Sequence, residues 1–384
     1  MSAPSDAAAA ALAMESEDGP GAPASSAFAP GRCTVVGEHV DYADGVVVCA
    51  AVQLGVGVAA RESRDGRWHM RSEGRSVSRD APLAAHRAGD IADLPLATVL
   101  ALRQRGIAVP PLEMRVVATL PEGAGLSSSA ALCGATAVAV LRHARAALSG
   151  AELAAAMLRA ERDILGIPCG PLDQRAVVDA PRDGVLVLEC RDGSSSPAPW
   201  LADHVLVACH TGDAHDVGGA GYRSRRAEAD GALRMLGAAS YRDVDMSAVE
   251  ALSDGTLRRR ARHIVSETRR ARDCAEAVRR GDAAGVGRLM SASHASLRDD
   301  YAVSTAALDT AVAAAEAVDG CLGARLCGAG FGGTAIALVE RGRASACVAA
   351  MQAALGNGVA RRGTWLLEPS PGLRVLAPDV VSGP

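Results

Sequence analysis

The apolar positions of this chain fall into two kinds of run. Residues 46–60 are nearly continuous in valine, alanine and leucine, with Gln53 as the interruption, and predict one or two buried strands. A turn at 64–66 precedes a short strand at 67–71, and 112–119 reads as a further strand. Residues 92–105, an Ala-rich stretch ending near 147, and 151–165 read as helices. Strands are expected at 185–189 and 204–209, then helices at about 216–238, 257–280, 282–295 and 304–317. Strands at 322–327 and 334–340 flank a glycine turn, and a last helix covers 343–355. The order is mixed, without the βαβ alternation of a doubly wound sheet, and predicts an α+β fold.

Breaks in this pattern divide the chain. Residues 1–27 are mostly Ala, Ser, Pro, Gly and acidic residues, and read as a disordered tail. The run Ser-Ser-Ser-Pro-Ala-Pro at 194–199 is the best candidate for a linker. The expected division is therefore a tail over 1–27, an N-terminal domain over 28–199 and a C-terminal domain over 200–384.

Composition narrows the chemistry. A net charge of −4 argues against a nucleic-acid partner. The chain has no lysine, so any mechanism that needs one, including a Walker A loop, is excluded. Ten cysteines without a CxxC pair argue against a zinc site and for reduced thiols in the cytoplasm. No Arg or Lys precedes Arg32, so neither a secretory n-region nor an Arg-rich transit peptide is recognisable, and the 46–60 run is too short to span a bilayer.

Two segments carry chemistry on their own residues. Pro-Glu-Gly-Ala-Gly-Leu-Ser-Ser-Ser-Ala-Ala at 121–131 joins a strand to a helix. Gly123 and Gly125 allow close approach of a ligand to the backbone, and the serines coincide with the unpaired N–H groups of the helix start, an anion site. The plain alternative is a Ser-capped helix. A dinucleotide fingerprint is disfavoured because the third glycine is missing. The second segment, 31–45, packs Arg32, Glu38, His39, Asp41 and Tyr42 before an Asp-Gly turn. Paired carboxylates there suit the vicinal hydroxyls of a polyol, since each accepts from more than one donor. The plain alternative is a charged surface loop.

Together these segments resemble the galactokinase branch of the GHMP kinases. The first matches that family's Gly-Arg-x-Asn followed by Gly-Glu-His-x-Asp-Tyr, with Thr34 and Ala43 each replacing an asparagine; the second resembles its phosphate loop. Cys-Gly-Pro-Leu-Asp-Gln at 169–174 is similar to the family's catalytic segment, and His210 to Arg226 to the segment bearing a sugar-contacting tyrosine. Ser-His-Ala-Ser-Leu-Arg-Asp-Asp-Tyr at 293–301 and Cys-Gly-Ala-Gly-Phe-Gly-Gly-Thr at 327–334 also match, in the family's order. Three of the four tyrosines lie in these motifs, in a chain with 2% aromatics.

The resemblance implies a two-lobed fold, ribosomal-protein-S5-like then ferredoxin-like, with ATP and a sugar between the lobes. It implies that Asp173 is the base and that Arg32 holds it ionised beside the phosphoryl group. Glu38, His39, Asp41, Gly170 and Tyr222 become sugar contacts. Gly123, Gly125, Leu126, Ser127, Ser128, Ser129 and Ala130 bind the nucleotide, and Ser129 with Glu161 holds Mg²⁺. His294 and Tyr301 read as structural, and Gly328, Gly330, Gly332 and Gly333 as a tight turn against the phosphate loop.

The expected activity is phosphorylation of the anomeric hydroxyl of galactose by a monomer without nucleic-acid or membrane partners. A kinase for another polyol, an amino sugar or cyclitol, and a non-catalytic sugar and ATP sensor are the alternatives. The family's adenine-side aromatics are missing from 91–103, where Leu94, Leu96, Val99 and Leu100 are the apolar side chains expected against the base.

Overall fold

The computed structural model describes residues 25–72, 74–80, 88–120, 123–212, 219–356 and 363–375. In chain order the elements are β1 (Ser25–Val36), β2 (Val46–Glu62), β3 (Trp68–Ser72), β4 (Arg75–Arg79), α1 (Asp93–Arg103), β5 (Leu112–Ala118), α2 (Ser128–His143) and α3 (Gly150–Leu158). A π-helical turn, Arg159–Ile164, leads to α4 (Leu172–Asp179), β6 (Gly184–Glu189), β7 (Ser195–Pro199) and β8 (His204–His210). The remainder comprises α5 (Ala220–Met235), α6 (Met246–Glu250), α7 (Gly255–Arg279), α8 (Ala283–Asp299), α9 (Ala306–Glu316), β9 (Cys321–Cys327), β10 (Thr334–Glu340), α10 (Ala344–Leu355), β11 (Thr364–Leu367) and β12 (Arg374–Val375).

The first sheet runs β12-β1-β2-β5-β3-β4, with β6 also on β2 and β7 on β6. Strand β2 spans 17 residues, long enough for β1 to cover one edge while β6 and β5 divide the other. The apolar run at 46–60 is therefore one strand, buried on both faces. Helix α2 lies against β1 and β2. The second sheet is β11-β8-β10-β9, antiparallel throughout, with α8 and α9 against β9. No helix among the described residues is long and apolar enough to cross a membrane.

Four expectations change. Strand β1 is absent from the pattern reading, because Pro30 and Gly31 interrupt it; register shifts at Pro30/Arg32 and Thr34/Val36 absorb the breaks. It begins at Ser25, so the end of the expected tail, 25–27, is strand; residues 1–24 lie outside the described residues. Ser195–Pro199 is no linker but an outer strand paired with β6, its prolines on a sheet edge. The C-terminal half is also not confined to the second lobe. Ser370 N donates to Ala51 O, Gly372 N to Ala180 O and Leu373 N to Val177 O, and β12 pairs with β1.

Charge joins the two sheets at the end of β1. Arg325, in the middle of β9, is fully buried; its Nη1 donates to the carbonyls of Thr34 (3.0 Å) and Val35 (3.2 Å). Its Nη2 lies 3.7 Å from Glu38 Oε1. Glu267 of α7, also buried, accepts from Gly37 N at 2.8 Å, from Ser293 Oγ at 2.6 Å and from Arg270 Nε at 2.7 Å. Removing the cation with Arg325→Met leaves Glu38 buried without the stronger of its two counter-charges, Arg32 being the other. The expected loss is about 3–5 kcal/mol in urea unfolding; a change within about 0.5 kcal/mol, as at a surface site, would contradict it.

Candidate active site

The loop between β5 and α2 is shaped for an anion. Gly123 and Gly125 have φ of 73° and 71°, and Ser127, at φ 60°, brings the chain into α2 in the left-handed region. Ser127 makes no capping bond, and its Oγ is buried without a partner among the described residues. The first N–H groups of α2 and the three serines thus face a cavity of about 360 Å³ at the positive end of the helix. Gly125 also meets the second lobe: a Cβ there would stand 3.0 Å from Cys327 O, and one on Gly328 would stand 3.0 Å from Gly125 O. The expected contact between the two glycine turns is present. Of the residues expected at the nucleotide, Gly123, Gly125, Ser127, Ser128 and Ser129 line the cavity, while Leu126 and Ala130 point into the core.

Arg32 and Asp173 meet beneath this loop. Arg32 Nε donates to Asp173 Oδ1 at 2.8 Å and its Nη2 lies 2.7 Å from the same oxygen. Its Nη1 donates to Gly125 O at 2.7 Å, and its backbone N–H to Leu126 O at 3.0 Å. Burial works against the guanidinium charge, but Asp173 and then Glu38 outweigh it, and the pKa is raised. Asp173, in the first turn of α4, keeps 28% of its side chain exposed toward the cavity.

The expected polyol residues form the opposite wall. Asp41 presses on the chain at Gly170: a Cβ there would lie 2.1 Å from Asp41 Oδ2, so only glycine fits. Burial pushes Asp41 up to about 7, with Asp173 and Glu38 adding and Arg32 opposing. Tyr222, from α5, stands 5.6 Å from the His39 ring and 5.9 Å from Tyr42 between centroids. His39 Nε2 is 3.0 Å from Ala329 O, so that nitrogen donates, and Nδ1 accepts from Tyr42 Oη at 3.0 Å. Tyr42 in turn meets Tyr301 Oη at 2.6 Å. Glu38 Oε1 accepts from Gly328 N at 2.6 Å, and burial raises its pKa against the pull of Arg325 and Arg32. Glu38 and His39 line the cavity, and Glu38 Oε1 and His39 Nε2 also bond the second lobe at Gly328 and Ala329.

Glu161 sits in the π-helical turn, 2% exposed, and bonds both Ser129 and Gln174. Burial pushes it up to about 7 despite those bonds. The expected Ser129–Glu161 pair is therefore in contact.

Some placements were not foreseen. Gln174, though part of the 169–174 motif, and Arg325 were given no role, although an arginine inside an apolar strand is a signal of a buried ionic link. Tyr301 is fully buried, and His294 is enclosed between Leu326 N (3.3 Å) and Asp309 (3.2 Å), in keeping with the expectation that both are structural. Leu96 and Val99 are buried in the first core with Leu94 packed against it, and no described lining residue of the cavity comes from α1.

Such a site, an anion-binding helix start beside an arginine-paired carboxylate in a cleft closed by the second lobe, defines a small-molecule kinase of the GHMP class. The family model described as the GHMP kinases N terminal domain matches residues 93–179, and the GHMP kinases C terminal model matches 274–357. The galactokinase galactose-binding signature matches residues 18–62. The galactokinase of Roseiflexus sp. (strain RS-1) is 39% identical over 325 residues, 82% of this chain and 83% of that protein. That of Chloroflexus aurantiacus is 37% identical over 86% of this chain and 87% of that protein. The structure of Lactococcus lactis galactokinase complexed with galactose superposes with a TM-score of 0.90 at 28% identity, covering 96% of this chain and 99% of that one. Methanococcus jannaschii mevalonate kinase, at 16% identity and a TM-score of 0.65, shares the fold. This chain belongs to the galactokinases of the GHMP kinase family.

The raised pKa of Asp41 has a sign that can be measured. An unfolded aspartate ionises near its ordinary value of 3.8, whereas the folded one holds its proton to about 7. Stability is therefore undiminished below the unfolded value and falls as pH rises toward 7. Asp41→Asn should raise the melting temperature at pH 8, and the gain should vanish by about pH 4. A gain that persisted at low pH would show that burial of the charge is not its source.

Proposed function

We propose that this chain transfers the γ-phosphate of ATP to the anomeric hydroxyl of galactose, giving galactose 1-phosphate and ADP. The observation that carries the reading is the position of Asp173 between the anion loop and the wall of Asp41 and Tyr222, bonded to Arg32 at 2.7 Å. Asp173 takes the proton of the attacking hydroxyl as the new oxygen–phosphorus bond forms and the bond to the ADP oxygen breaks. Arg32 holds that carboxylate in place and adds positive charge beside the transferring phosphoryl group. Asp41, held against Gly170, accepts hydrogen bonds from sugar hydroxyls, with Tyr222 beside it. Ser127 has the free hydroxyl that a phosphate oxygen would engage.

Ser129 and Glu161 offer one hydroxyl and one carboxylate, hard oxygen donors that suit a cation otherwise held by phosphate oxygens and water. They would hold Mg²⁺, which when bound neutralises charge on the β- and γ-phosphates. Ten free thiols fit action in the reducing cytoplasm.

The test is a coupled ADP-release screen over hexoses, amino sugars and cyclitols, with wild type and Asp173→Asn. Galactose should be preferred clearly over glucose, because a missing hydroxyl contact leaves a desolvated carboxylate unpaired. Asp173→Asn should bind galactose and ATP but turn over about 10²–10⁴-fold more slowly. Equal turnover of the two epimers, or wild-type turnover by the variant, would overturn the reading.

A further inference from the structure

Gln174 follows Asp173 in the first turn of α4 and is 1% exposed. Its Nε2 donates to Glu161 Oε2, and the same carboxylate interacts with Ser129. The amide nitrogen is turned toward Glu161 and the oxygen away, the orientation that an ionised carboxylate, which only accepts, requires. Oε1 is left buried with no partner among the described residues. Burying an amide carbonyl unbonded is unfavourable, and an apolar side chain of similar shape would fill the space without that penalty. Packing therefore does not account for a glutamine here; the bond to Glu161 does.

The setting of Glu161 makes that bond consequential. The carboxylate projects from the π-helical turn Arg159–Ile164, a rare form that recurs at functional sites. Its direction is fixed from outside by Ser129 on α2 and Gln174 on α4. Meanwhile Asp173 is fixed by Arg32.

We propose that Gln174 is a positioning residue that aims Glu161 at the divalent cation and locks that carboxylate to the same helical turn as the base Asp173. Base and cation ligand then move together, because consecutive residues of one helix hold both. This rests on the reading of Ser129 and Glu161 as the cation site.

The test uses Mn²⁺ as the probe, its binding followed by electron paramagnetic resonance in the presence of ADP, alongside galactose binding by calorimetry. Gln174→Met keeps the volume and removes the donor; Gln174→Asn keeps the amide but withdraws it by one methylene. Both should weaken Mn²⁺ binding by about 10-fold or more, as loss of a ligand's supporting hydrogen bond does, and leave galactose affinity unchanged. In a Glu161→Gln background, Gln174→Met should add no further loss. A folded Gln174 variant with wild-type Mn²⁺ affinity would overturn the proposal, as would fully additive losses or an equal loss of galactose affinity. If Glu161→Gln itself leaves Mn²⁺ binding intact, the cation-site reading fails, and the role of Gln174 falls with it.

Discussion

A buried guanidinium needs an anion, and in this protein that need fixes the active site. Arg32 is 6% exposed on β1, and its nitrogens are divided between Asp173 on α4 and the Gly125 carbonyl in the phosphate loop. Three segments distant in sequence are thereby held in one register, since a shift of any would strand a charge away from water. Six residues further along, Glu38 repeats the arrangement across the lobes, accepting from Gly328 N and facing Arg325. The close approach of Gly125 to Gly328 completes a ring of contacts around the cavity.

Inside that ring negative charge is crowded. Asp41, Glu38, Asp173 and Glu161 all face or flank the cavity, and burial holds Asp41 and Glu161 near neutrality in their titration. A folded protein gains nothing from such a cluster alone. Under the proposed function each acid has a relieving partner: hydroxyl donors of the sugar for Asp41, the cation for Glu161, the transferred proton for Asp173. The arrangement trades stability of the empty site for complementarity to the reacting complex.

Much of this was legible in sequence, for identifiable reasons. Strand β10 matches its expected bounds because an unbroken apolar run between a glycine turn and a charged residue has one reading. Helices α7 to α9 were found within a few residues by their periodicity. Strand β1 was not, since its breaks are absorbed by bulges that only pairing reveals, and Ser195–Pro199 looked like a linker because edge strands tolerate the same residues. At the site, the motifs located Arg32, Asp41, Asp173 and the serines. They could not show that both ring nitrogens of His39 are bonded within the protein, that Leu126 and Ala130 face inward, or that Gln174 reaches Glu161. Those facts depend on side-chain direction across elements, which spacing does not carry.

The central claim is that Asp173 and the phosphate loop face a single hydroxyl, that of the anomeric carbon. The most direct measurement is ³¹P nuclear magnetic resonance of the product formed from galactose and ATP. The account predicts a phosphomonoester signal split by the anomeric proton, appearing in step with ADP. A phosphorus coupled to the protons at C6, or ADP formed without any sugar phosphate, would contradict it.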